Sequence, residues 1–550
     1  MRTDFIRRQA KSEDGSIIIF SLFVFIMILM VAGFAVDLMR TELRRVDLQN
    51  TSDVAALASS SLDQSIDAQE LVTSYFEKAG LAEYLVSVDP VPGVGGNSRS
   101  VTITTRDDVP TIFSQLIGVD SLPVGTTTTA RQSATDVEIS IVLDISSSMN
   151  SNNRLPRLKD AMYQFISEVI PVDPLSSASE ISVNIIPYSI TTNPGDMGKY
   201  YNLSDKHNYN NCVFFDSTNY PSLGISTTDS LERHTHFADN SSRYNADDTV
   251  DLPYCPIDNP ILVMETEQQP LIDTVAALQG WDGTGIDVGV KWGVHLLDPS
   301  FRIVSDQMVA ADEIGDAMLG RPFDYLDENG NQISRKILII MSDGENNEQR
   351  DLPEFMREGA SPVFRSATSG HYSVLMVDGR DDPNFDEAND TISRWYHEET
   401  DDIRDYPDLP DAASGTDWSE LGTELVNLEW PDVMNIAKTN NVGDRFFRTG
   451  FEAGFVDAAT FNAIDDPIFH RISPTDTNAR MHALCAAARV QGVEIFGISF
   501  DAPSELAEDT IKNCTSSTGS TTHFFPVSGE QITEAFSTIA REVSKLRLSN

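Results

Sequence analysis

Five oxygen-bearing side chains stand where a strand pattern ends or a helix pattern begins. They are Asp144, Ser146 and Ser148 in DISSS, Thr284 in GTG and Asp343 in MSDG. A carboxylate followed by two hydroxyls at alternate positions presents three hard oxygens to one point. With Thr284 and a second carboxylate, the set suits Mg²⁺ best, with Mn²⁺ or Ca²⁺ as alternatives. DxSxS alone is a weak pattern, because Asp and Ser are common turn and capping residues. Three pieces in order along the chain make it stronger. Enzyme constellations are missing from the sequence: it has no GxSxG, no HExxH, no GxxxxGK, and no GxGxxG between a strand and a helix, so no catalytic residue is assigned. His295, His371, His397 and His470 are scattered without metal spacing and read as surface or satisfied core histidines.

The elements that must position the five residues form an α/β alternation. Continuous apolar runs, which mark strands covered on both faces, occur at Val137–Leu143, Ile181–Ile186, Lys336–Met341 and Val493–Ser499, with a further strand at Thr522–Pro526. Helical patterns lie at Leu155–Ile170, Leu271–Leu278, Ile286–Leu297, Asn478–Val490, Glu505–Asn513 and Gly529–Leu546. The expectation for residues 134–550 is a doubly wound, mostly parallel sheet with two large insertions, 191–270 and 349–477. In such sheets ligands gather at the carboxyl ends of the strands, where DISSS and MSDG fall. Within the second insertion, Met376–Asp432 holds 18 acidic residues and 3 basic ones, which reads as a solvated acidic surface.

Ser16–Val36 is 21 residues without a charge, about 30 Å of helix, long enough to cross a bilayer. A cleaved signal peptide is the rival reading, though its apolar core is usually shorter. Arg2, Arg7, Arg8 and Lys11 precede the run, which favours cytoplasmic residues 1–15, a transmembrane helix at 16–36 and an exported body. Residues 37–133 read as a helical stalk and small α+β domain. The membrane helix continues through Leu38–Ser61, a second helix covers Ala68–Ala79, and strands lie at Tyr84–Val88, Val101–Thr105 and Pro123–Ala130. Val109–Ile117 has the apolar spacing of a short helix. Cys212, Cys255, Cys485 and Cys514 form no CxxC. In an exported body they read as two local disulfides, Cys212–Cys255 and Cys485–Cys514; in a cytosolic one, as four buried thiols. The net charge of −45 repels phosphate backbones, so nucleic acid is not an expected partner.

DISSS, GTG and MSDG in this order resemble a von Willebrand factor type A domain with its metal-ion-dependent adhesion site. That resemblance implies direct metal contacts from Ser146, Ser148 and Thr284, with Asp144 and Asp343 held close through waters or hydrogen bonds. Four further segments point the same way: the anchor followed by AVDLMRTELRRVDLQNTSDVAALAS, the segment CAAARVQGVEIFGISF, the Asn513–Cys514 pair, and the terminal AFSTIAREVSKLRLS. Together with the metal motif, they resemble the TadG-like proteins of tight-adherence (Tad/Flp) pilus systems. The family implies a single-pass bacterial inner-membrane protein, its bulk in the periplasm, that serves pilus assembly. Its partners would be other pilus-assembly or pilin components offering a carboxylate to the metal, and incorporation into the pilus or cell surface is the variant location. The alternative function is a cell-surface adhesin using the same metal site on a host or matrix ligand. No GxxxxE processing motif follows Gly15, so prepilin-type cleavage is not expected.

Overall fold

The computed structural model describes residues 14–61, 66–92, 98–133, 136–170, 181–238, 254–328, 330, 332–378, 393–405, 407, 424–439, 441–516 and 523–545. The segment read as cytoplasmic, but for its last two residues, and much of the acidic stretch lie outside the described residues. The described residues fall into two compact units, 14–133 and 136–545.

The smaller unit is built on α1 (Asp14–Ser60), a helix of 47 residues. Its apolar window has a mean hydropathy of 3.0 and is only 6% buried, so among the described residues this helix is long and apolar enough to cross a membrane. From the outer end of that window a buried stripe runs along one face, through Gly33, Asp37, Thr41, Leu48, Ser52, Ala55, Ala56 and Ser59, at the three-to-four spacing of a helix face. The stripe packs against α2 (Ala68–Ala79) and an antiparallel sheet of β1 (Leu85–Pro92), β2 (Ser98–Pro110) and β3 (Ser121–Ser133). Leu48, Ala55, Val72, Phe76, Val101, Ile103 and Val124 form the core. Asp67 caps the start of α2, and Gly80 ends it at φ 70°, a left-handed conformation that costs glycine least.

Val109–Ile117 is not a helix. β2 runs to Pro110, and only Ser114–Ile117 forms a single 3₁₀ turn, closed by Gly118 at φ 87°. The Asp37 carboxylate accepts the amides of Ile112, Phe113 and Ser114 (2.9, 2.9 and 2.7 Å), so these donors find their acceptor on α1 and not in a preceding helical turn.

In the larger unit the chain runs through β4 (Asp136–Asp144), α3 (Arg154–Val169) and β5 (Ile181–Tyr188). After a long connection come β6 (Leu262–Glu265), α4 (Gln268–Ala277), α5 (Ile286–His295), α6 (Arg302–Ala310) and β7 (Ser334–Ser342). The alternation is then interrupted by β8 (Gln349–Asp351), β9 (Ala360–Ser366), β10 (Tyr372–Asp378), β11 (Ser393–His397), β12 (Asp402–Arg404), β13 (Leu425–Glu429), α7 (Trp430–Ile436), α8 (Arg448–Glu452), α9 (Ala458–Asp465) and β14 (His470–Ile472). It resumes with α10 (Pro474–Val490), β15 (Glu494–Phe500), α11 (Glu505–Lys512), β16 (Phe524–Val527) and α12 (Gln531–Lys545).

The main sheet has the order β16-β15-β7-β4-β5-β6, parallel except for the antiparallel edge strand β6. Successive strand residues enter opposite cores, as the pleat requires. Val142, Ile186, Leu338, Ile340 and Ile495 meet α5 and α10 on one face. Ile139, Ile141, Ile337, Ile339, Phe496 and Ile498 meet α3, α4 and α12 on the other.

The insertions are more ordered than their composition suggests. The first contains β6, so the sheet resumes at Leu262 and not after Pro270. The second carries an antiparallel sheet of its own, order β12-β11-β10-β9-β13, with a core of Val363, Val374, Tyr396, Trp430 and Phe446. Both disulfides are present, Cys212–Cys255 with S–S 1.99 Å and Cys485–Cys514 with S–S 2.08 Å. The second joins α10 to the turn after α11.

Candidate functional site

The register of β4 and β7 brings the candidate site together. Leu143 lies beside Met341 in the parallel ladder, so Asp144 and the Ser342–Asp343 pair leave the sheet side by side at its carboxyl edge. Asp144 is fully buried. Its Oδ1 accepts the Ser146 amide (2.7 Å) and its Oδ2 accepts Ser342 Oγ (2.7 Å). Ser148 Oγ donates to Asp343 Oδ1 (2.7 Å). Having spent its proton there, Ser148 must accept from Ser146 Oγ, 2.8 Å away. Arg154, from the first turn of α3, donates through Nη1 to Asp343 Oδ2 (2.7 Å) and reaches Asp501 through Nε (3.4 Å).

Thr284 reaches the same rim from the other side. Trp281 donates its amide to the Ile145 carbonyl (2.7 Å), tying the GTG turn to the DISSS segment. Thr284 and Asn347 are reciprocally bonded, Thr284 N to Asn347 Oδ1 (2.7 Å) and Asn347 N to the Thr284 carbonyl (2.7 Å). Asn346 Oδ1 accepts the Ile286 amide (2.7 Å) and satisfies the start of α5. Gly285 is needed for close approach, since a Cβ there would lie 2.3 Å from the Ile190 carbonyl oxygen. The Thr284 hydroxyl lies 3.9 Å from where a side chain on Gly344 would begin, next to Asp343. All five residues singled out by motif are therefore placed around one point, four of them in one hydrogen-bonded cluster and Thr284 beside it.

Burial pushes the Asp144 carboxyl above the usual carboxylate range, and Asp343 nearby pushes it further; the bonds from Ser146 and Ser342 only partly offset this. Asp343 is likewise raised by burial, against the opposing pull of Ser148 and Arg154. Two neighbouring carboxylates that resist ionising together, ringed by hydroxyls, make an all-oxygen donor set that a hard cation fits. Among the described residues no three His, Cys, Asp or Glu side chains gather as a metal site, so a cation here would depend on the hydroxyls as well as the two carboxylates. A cleft of about 240 Å³ opens beside Thr284, lined by Ile190, Tyr254, Asp282, Gly283, Asn347 and Glu348 among others.

Motif reading missed Ser342, Arg154, Asn346 and Asn347. Ser342, Asn346 and Asn347 carry a faint signal in the polar run SDGENN directly after a buried strand. Arg154 carries none, because its role depends on a carboxylate 189 residues away.

Residues 15–61 match the family model described as "Putative Flp pilus-assembly TadE/G-like". No curated protein matches the chain. Among solved structures, it is similar to the vWF domain of the type V pili tip protein Mfa5 from Porphyromonas gingivalis, at 13% identity and TM-score 0.30, over 75% of this chain and 97% of that one. It is similar at 11% identity and TM-score 0.28 to the pilus adhesin SpaC from Lactobacillus rhamnosus GG, over 84% of this chain and 34% of that one. It is also similar to the pilus adhesin RrgA from Streptococcus pneumoniae, at 11% identity and TM-score 0.29, over 84% of this chain and 50% of that one.

Proposed function

We propose that this chain is a TadG-like component of a Tad/Flp-type pilus system, a binding protein and not an enzyme. Residues 16–36 anchor it once in the inner membrane and its bulk faces the periplasm. The larger unit has the doubly wound type A fold and uses its rim to bind a protein partner. The observation that carries this reading is the convergence of Asp144, Ser146, Ser148, Thr284 and Asp343 on one point of the sheet's carboxyl edge. The match of the anchor helix to a pilus-assembly family model supports the setting.

Ser146, Ser148 and Thr284 would hold a divalent cation, Mg²⁺ first, with Asp144 and Asp343 neutralising its charge. When bound, the cation supplies a Lewis-acidic point that a partner's carboxylate can coordinate. The chain's own residues do the rest. Ser342 and the Ser146 amide hold Asp144 in place, Arg154 orients Asp343, and the two asparagines fix the turn that carries Thr284. The −45 charge repels acidic partners at long range, so an acidic ligand must be received locally.

The test is a pull-down from envelope extract with the full chain in detergent. Capture is expected to be lost in EDTA, to return with Mg²⁺, and to survive moderate salt, which screens the general repulsion over about 8–10 Å without displacing a coordinated oxygen. Capture that persists in EDTA would move binding away from the rim.

A further inference from the structure

The connection between β2 and β3 is an apolar loop held at one level of the anchor helix. Between Thr111 and Val119 the chain carries no charge, and Ile112, Phe113, Leu116, Ile117 and Val119 are exposed, Leu116 at 82% and Ile117 at 63%. The loop does not swing free. Asp37, one residue past the apolar run, accepts four hydrogen bonds from it: three amides and Ser114 Oγ (2.9 Å). One helical turn earlier, the Phe113 ring lies so close to Gly33 that a Cβ there would meet it at 2.5 Å. Phe113 therefore sits about 4–5 Å inside the end of the apolar run, at 1.5 Å of rise per residue. On the other side of Asp37, Arg40 donates to the Pro110 carbonyl (3.3 Å) and Arg44 pairs with Asp107 (3.0 Å). Reading outward, the order is apolar loop, satisfied carboxylate, then arginines, which matches the order of acyl boundary and phosphate headgroups at a bilayer surface.

We propose that residues 112–119 are a second membrane contact, inserting Ile112, Phe113, Leu116 and Ile117 into the interface of the leaflet where the anchor helix emerges. The ligand is the lipid surface itself. The loop fixes the depth and tilt of the small unit on the bilayer, which a single helix would leave free. Burial alone would raise the Asp37 carboxyl, but the bonds from Ile112, Ser114 and Phe113 outweigh it and hold it down at about 2, so this carboxylate stays satisfied at the interface. The proposal rests on the reading that residues 16–36 cross the membrane.

All four cysteines are paired, so an added cysteine is the only free thiol and can carry an environment-sensitive fluorophore. The full chain would be reconstituted in phosphatidylethanolamine–phosphatidylglycerol vesicles with spin-labelled lipid quenchers, using Leu116→Cys, Phe25→Cys within the apolar run, and Val91→Cys. Val91 is exposed and pairs with Ser100, about 33 Å along β2 from the loop at 3.3 Å per residue. The expected result is severalfold quenching of Leu116→Cys by shallow quenchers, quenching of Phe25→Cys by deep ones, and none at Val91→Cys. A quenched Phe25→Cys with an unquenched Leu116→Cys, or equal quenching at Leu116 and Val91, would overturn the loop contact and leave the anchor standing. An unquenched Phe25→Cys would overturn the anchor, and the loop contact with it.

Discussion

Asp287 shows what one buried charge contributes when every partner is in place. It sits in the first turn of α5, three residues from Thr284, and is fully buried. Its oxygens accept Gln349 Nε2 (2.7 Å), Tyr220 OH (2.7 Å) and Arg480 Nε (2.7 Å), while Arg480 also donates to the Phe215 carbonyl (2.9 Å). The network joins the first insertion, β8, α5 and α10. Asp287→Ala leaves Arg480 buried and uncompensated, so about 3–5 kcal/mol of stability is expected to be lost in denaturant unfolding. The buried histidines set a pH limit on the same body. Burial lowers His207 to about 3 and His236 to about 4, so both fold as neutral rings. A folded pKa below the unfolded value of about 6.5 means stability is complete above pH 6.5 and falls as pH drops toward 4. Unfolding midpoints measured from pH 7.5 to 4.5 should decline, and His236→Gln should flatten the decline. Residue types at fixed spacing made Asp144, Ser146, Ser148, Thr284 and Asp343 legible in the sequence. Arg154 and Asn347 were not, because their bonds exist only once distant segments are folded together.

Elements were legible where one physical cause dominates. β4, β5, β7 and β15 are covered on both faces and read as runs in which apolar residues predominate, although Glu138, Ser140, Ser182 and Asn184 are buried within β4 and β5. β6 is four residues long and antiparallel at an edge, and its apolar run, Ile261–Met264, is too short to stand out from the polar segment around it. The small sheet of β9–β13 is built from short strands, three to seven residues long, set in a segment whose acidic composition hides them. Val109–Ile117 misled for a different reason. Val109, Ile112, Phe113, Leu116 and Ile117 have helical spacing, yet the last four are exposed and the segment is shaped by Asp37. The Cys485–Cys514 disulfide fastens α10 to the turn after α11. Replacing both cysteines with serine should cost about 2–4 kcal/mol in equilibrium unfolding, with the protein still folded. Unchanged stability would show that packing alone holds the two together.

At the scale of the molecule, two units follow different physical rules. The smaller is organised around one helix whose apolar end is exposed and whose polar-flanked end carries a sheet. The larger is an α/β body in which Asp144, Ser146, Ser148 and Asp343 form one hydrogen-bonded cluster at the carboxyl edge of the main sheet. The long apolar helix and the meeting of five oxygen-bearing side chains at one sheet edge could be read from the sequence; the fold of the acidic insertion could not, since composition there reports solvation and not topology. The proposed function requires that the rim bind a divalent cation. Isothermal titration of the metal-stripped full chain with Mg²⁺ and Mn²⁺, alongside Asp144→Ala, decides this. The expected result is one site in the native chain and binding at least about tenfold weaker in the variant, with circular dichroism unchanged. Equal binding in the two proteins, or none in either, would contradict it.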